Sequence, residues 1–218
     1  MILKSEGDSP APIDIRAYSF EEWVRFIFDH PTDDQDWYHR EEWSYTAEAG
    51  ELVRYMTHLF RASNEFLKPY TDRQLETGFW FLMGERGFVR AIWNRDVPLE
   101  LRQECVRSME MLCKDFFDKR PIETAAFMWW DEICYDEGHC DPDRFRNENR
   151  GVCEAIFEVL CKLLTSRSES CQKNALHGLG HLKHPRTADA IDSFLKTSPD
   201  INPELKIYAL KCKTGNVR

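Results

Sequence analysis

From residue 19 onward the apolar positions recur at three- and four-residue intervals, the spacing of helices with one buried face. Ser19 and Glu22 stand at capping-box spacing, Phe20, Trp23, Phe26 and Ile27 follow, and His30-Pro31 ends the element. A helix is predicted from about 46 to 67, with Leu52, Tyr55, Met56, Leu59, Phe60 and Phe66 on one side. Thr71 caps another, with Leu75, Phe79, Leu82 and Met83 inward. Pro98 opens a helix carrying Leu101, Cys105, Met109, Leu112 and Phe116, and Pro121 opens the next through Ile122, Ala125, Met128, Trp129 and Ile133. Asp141-Pro142 supplies one more cap and first position. Over 152–164 only Glu154, Glu158 and Lys162 break an apolar circumference, so that helix belongs in the middle of a stack. Three short helices are predicted around Ala175–Leu182, Ala188–Leu195 and Pro203–Leu210, with Pro185 separating the first two.

Strand signals are poor, with no β-branched alternation and no Asn-Gly or Asp-Gly hairpin. The fold expected is all-α. Residues 1–16 lack periodicity and read as an arm, 17–97 as an N-terminal helical region, and 98–218 as helical repeats, with 17–218 one continuous domain.

Ala175-Leu176 and Ala209-Leu210 lie 34 residues apart, a period typical of helix-pair repeats. The run Ala175-Leu176-His177-Gly178-Leu179-Gly180 resembles the short bacterial HEAT-like repeats, whose first helix reads Ala-Leu-x-x-Leu-Gly. The match covers about 168–215; the pair at 99–133 fits more loosely and 1–97 fits poorly. The whole chain is also similar to bacterial proteins without an assigned activity that carry an Ala-Leu-His-Gly-Leu-Gly-His segment. The resemblance implies a right-handed α-solenoid of stacked helix pairs whose concave side binds a partner. It carries over a fold and no activity.

The 218 residues carry a formal net charge of −9, with 11 Lys and Arg against 18 Asp and Glu in residues 1–97. That balance argues against a nucleic-acid partner, which calls for clustered Lys and Arg, and favours a basic protein. Eight cysteines are present. Cys105 with Cys113 and Cys153 with Cys161 fall two turns apart on apolar stripes, where a thiol is a small hydrophobe. No apolar run follows Met1 and no stretch of membrane-spanning length occurs, so a reduced, cytoplasmic protein is expected.

Several residues invite chemistry. His177 and His181 have the i, i+4 spacing of a zinc pair and are expected to project together toward solvent, opposite Leu176, Leu179 and Leu182. Gly178-Leu179-Gly180 offers no Glu for a metalloprotease base, so a packing or partner role is expected instead and no metal or other cofactor is assigned. Cys134, His139 and Cys140 have zinc donors without zinc spacing. Asp33, Asp34 and Asp36 sit in the acidic loop 29–43; Asp34-x-Asp36 begins a calcium-loop pattern that Tyr38 and His39 break, leaving a contact for a basic partner. In Trp129-Trp130-Asp131 the adjacent indoles point about 100° apart; a core role is the favoured reading, and the alternative sets one of them in a groove that Trp80 and Trp93 join. Arg144, Arg146 and Arg150 form a small basic group read as a solvated face.

No phosphate loop, nucleophile elbow or His-Glu-x-x-His motif is present. The function expected is a non-enzymatic protein–protein interaction module. Two enzymes are the alternatives. One is a DNA glycosylase of the HEAT-like kind, using Trp129, Trp130, Asp131 and Arg144 in a groove. The other is a metal-dependent hydrolase using His177 and His181.

Overall fold

The computed structural model describes residues 11–34, 37–120, 122, 124–135 and 149–217. The predicted cap at Asp141-Pro142 lies outside them. Ten α-helices occur among the described residues: α1 (Phe20–Phe28), α2 (Ala49–Arg61), α3 (Ser63–Phe66), α4 (Asp72–Met83), α5 (Leu99–Met111), α6 (Ala125–Tyr135), α7 (Arg150–Leu164), α8 (Glu169–Leu182), α9 (Thr187–Thr197) and α10 (Pro203–Lys213). The protein is all-α apart from one short parallel pair, β1 (Ile13–Asp14) with β2 (Tyr45–Thr46), in which Ile13 lies opposite Tyr45. That pair fastens the segment before α1 to the segment before α2 and seats Ile15 in the core.

The caps read from the sequence form as hydrogen bonds. The Ser19 hydroxyl accepts from Glu22 N while the Glu22 carboxylate accepts from Ser19 N at 2.7 Å, and Thr71 with Gln74 repeats the device at α4. Pro203 occupies the first turn of α10 after an Asn202 cap.

Two predicted boundaries move. The helix expected over 46–67 begins at Ala49, because Thr46 is spent in β2, and it breaks at Ala62 (φ −128°), where the Ser63 hydroxyl donates back to the Leu59 carbonyl at 2.9 Å. The helix expected from Pro121 begins at Ala125. Its first N–H is held by the Glu76 carboxylate of α4 at 3.1 Å, which also accepts from Thr124 and, at 2.9 Å, from the Trp80 indole. After α5 the ladder loosens into a π-type turn at Leu112–Phe117, which keeps Leu112, Cys113, Phe116 and Phe117 buried.

Contacts between helices run in two rows. In one, α2 packs on α5 and α5 on α7; in the other, α1 packs on α4, α4 on α6, α6 on α8 and α8 on α10. The rows meet where α7 packs on α8. As its circumference demands, α7 sits between neighbours, α5 on one side and α8 on another. One buried apolar cluster runs from Ile15 to Cys212. The 34-residue correspondence holds for Ala175 and Ala209, both buried, but Leu176 is buried where Leu210 is 49% exposed. No helix among the described residues is long and apolar enough to cross a membrane.

Candidate functional site

The most concentrated chemistry lies where α8 meets α6 and α10. Two glycines allow the approach. A Cβ on Gly178 would stand 2.8 Å from Trp130 Cβ on α6 and 2.8 Å from Leu160 on α7; a Cβ on Gly180 would run into Val217 and come within 3.4 Å of Cys212 Cα on α10. His177 and His181 flank these positions on the same helix. Their rings meet edge to face with centroids 4.6 Å apart, so they do project together. They do not both face solvent. α6 and α10 cover the side that the leucine pattern left open, and His177 is only 4% exposed.

Asp131, on α6, places a carboxylate oxygen 3.0 Å from His181 Nδ1. Tyr208, on α10, places its hydroxyl 2.6 Å from His177 Nδ1. Phe127 packs on the His177 ring at 4.3 Å, and the Lys173 ammonium stands 5.4 Å from the centre of that phenyl. One ligand atom from each of Asp131, His177 and His181 lies within 4.8 Å of the others. Nε2 of both histidines is buried with no hydrogen-bond partner among the described residues. Burial pushes the His177 imidazole down to about 4, with His181 adding to the effect and Asp131 opposing it, so His177 is neutral at physiological pH. Beside the cluster a groove of about 410 Å³ runs between α6 and α8, lined by Phe127, Lys173, Asn174, Cys171 and Asp118 among others.

The other predicted site residues fall elsewhere. Trp129 and Trp130 are both 0% exposed, in keeping with the core reading, and neither lines a groove. Trp129 is ringed edge-on by Phe60, Phe79 and Phe117, and Trp130 fills the space that Gly178 leaves. Trp93 is buried as well. Trp80 is half-buried and lines a shallow depression with Tyr38, His39, Arg86 and Glu132, while its indole N–H staples α4 to α6. Asp33 is exposed, but Asp34 is taken up by Arg40, which also reaches Glu42 at 3.2 Å. Part of the acidic loop is thus neutralised from within. Arg150 is exposed and stands 4.0 Å from Glu154. Asp36, His139, Cys140, Arg144 and Arg146 lie outside the described residues.

Cys134 is in the core. Cys105 is pushed up to about 12 and Cys212 to about 11 by burial, and Cys113 rises for the same reason. These groups are protonated thiols at neutral pH and serve packing rather than nucleophilic attack. Tyr208 and the pairing of Asp131 with the histidines were missed by sequence reasoning. Both depend on contacts between helices far apart in the chain, and no local spacing announces them. No protein-family model, curated protein or solved structure matches this chain.

Proposed function

We propose that this chain is a non-enzymatic binding module, a right-handed α-solenoid of stacked helix pairs that receives a basic protein partner on its acidic N-terminal half. The two rows of helices carry this reading. In each row a helix packs on the next member of its own row, with one helix of the other row usually lying between them in the chain, as stacked pairs do. The uneven charge adds the partner's sign, since residues 1–97 hold most of the acidic excess and Asp33 is open to solvent. Among the described residues Trp23, Trp37, Trp129 and Trp130 are buried in the core, which puts the weight of recognition on surface shape and charge.

The glycosylase alternative loses support on the same grounds. Trp129 and Trp130 offer no face on which an extruded base would stack, and a net charge of −9 repels the backbone.

The test is capture from lysate of the source organism on the immobilised chain, at low and high salt, beside a variant carrying Asp33→Lys, Asp34→Lys and Asp36→Lys. Basic proteins held at low salt, released by high salt and lost in the variant support the proposal. Retention indifferent to salt and to the three substitutions overturns it.

A further inference from the structure

The geometry points to a divalent transition-metal site, of the kind zinc fills, built from His177 and His181 of α8 and Asp131 of α6, with Tyr208 of α10 as the positioning residue behind His177. This is independent of whether the chain binds a basic protein.

The donor set fits the ion. Two imidazole nitrogens and one carboxylate oxygen suit zinc-class divalent ions, and three protein ligands leave a fourth position to water. The Tyr208 hydroxyl lies 2.6 Å from His177 Nδ1, and in the tautomer in which its oxygen accepts from Nδ1–H the lone pair stands on Nε2. Metal-bound histidines are commonly oriented in this way, by an acceptor for the other ring nitrogen.

Burial supplies the second, independent observation. His177 is 96% withdrawn from solvent, yet its Nε2 has no partner among the described residues, and His181 Nε2 is in the same position. Buried polar atoms are almost always satisfied, and these two histidines share a cluster with the Asp131 carboxylate, whose oxygen lies 3.0 Å from His181 Nδ1. The distances are close to what is needed. Ligand atoms around a tetrahedral zinc at about 2.1 Å stand about 3.4 Å apart, and here the three lie within 4.8 Å. The remaining closure of about an ångström falls to Asp131 and His181, whose side chains are 14% and 19% exposed and have more freedom than His177. They also form the side by which an ion enters.

The experiment is calorimetric titration of zinc into the full chain, purified without an affinity tag and stripped with chelator, with cobalt substitution read by absorption spectroscopy. The wild-type chain is expected to take up about one equivalent with micromolar or tighter Kd. Its cobalt form should show tetrahedral or five-coordinate bands without a thiolate charge-transfer band. Asp131→Asn and His181→Gln nearly preserve shape, and helicity by circular dichroism checks that they fold. Each should weaken binding more than about 100-fold, beyond the range of an outer-shell change, while Tyr208→Phe should weaken it about tenfold. Zinc uptake equal in the wild type and in the Asp131→Asn, His181→Gln double variant overturns the site, as does a cobalt spectrum dominated by thiolate ligation. Absence of any uptake by the wild type overturns it too and leaves the cluster as a hydrogen-bonded packing element.

Discussion

Around α1, α4 and the tight turn at residues 88–93, the interior is made of rings. Phe26 contacts Trp43, Phe81 and Phe88, Phe28 contacts Phe79, and His30 stacks on Trp37 at 3.4 Å. Around α7, α8 and α10 the interior is made of small and aliphatic groups, among them Cys153, Ala155, Val159, Leu160, Gly178, Gly180 and Ala209. Short irregular turns at 37–43 and 88–93 join this region, and a close approach occurs here too, since a Cβ on Gly78 of α4 would stand 3.0 Å from the Ile27 carbonyl oxygen of α1. The small residues let helices come close enough for a histidine on one to reach a carboxylate on a second and a hydroxyl on a third. The cluster of Asp131 with two histidines lies in the half rich in small residues, whereas the aromatic half buries a single imidazole among the described residues, that of His30 against Trp37.

Five changes would break or sharpen that contrast. Trp129→Ala, which empties a fully buried indole site among Phe60, Phe79 and Phe117, should cost about 4 kcal/mol in urea unfolding. A loss under about 1 kcal/mol would mean that the rings are loosely packed. In the other half, Gly178→Val should cost about 3 kcal/mol, since its Cβ meets Trp130 Cβ and α6 must move. Gly180→Ala should cost less than about 1 kcal/mol, because the nearest obstacle is the end of the Val217 side chain. Equal costs at the two glycines would refute the account of close approach.

Between the two glycines in size is Glu76→Ala, which strips the acceptor shared by Ala125 N–H, Thr124 and the Trp80 indole. A loss of about 1.5 kcal/mol is expected, with Glu76→Gln recovering much of it. The smallest effect is on pH dependence. Burial lowers His30 below its ordinary 6.5, against the hydrogen bond its Nε2–H donates to the Phe26 carbonyl and against the nearby Asp29 and Asp34. Below pH 6.5 the unfolded chain therefore binds the proton more readily. The contribution of His30 is complete above that pH and is lost as pH falls through the depressed folded value. Urea melts at pH 7.5 and 5.0 should show wild-type stability falling more steeply than that of His30→Gln, by less than about 1.4 kcal/mol per pH unit, the one-proton ceiling. Identical slopes would show that His30 does not titrate with folding.

The two halves also differ in how far they can be read from sequence. Caps are local, so Ser19 with Glu22, Thr71 with Gln74 and the Asn202-Pro203 start are legible from spacing alone. The apolar circumference of α7 announces its place between neighbours. The late starts of α2 and α6 are not legible, because a strand partner at Ile13–Asp14 and a carboxylate on α4 decide them from a distance. At the site, spacing shows that His177 and His181 share a face, but it misplaces that face in solvent. The leucines that suggested an outer side mark only one of the surfaces α8 buries, and Asp131 and Tyr208 arrive on helices about 46 and 31 residues away from His177.

The order in which helices find partners has a consequence for synthesis. A chain leaving the ribosome N-terminus first meets most of its contacts two or three helices back, so much of the molecule can pack while translation continues. His177 follows the same rule, because Tyr208 belongs to α10 and α8 must wait for it. A nascent chain stalled before α10 would carry its histidines and its aspartate already in place and still lack the hydroxyl that orients them.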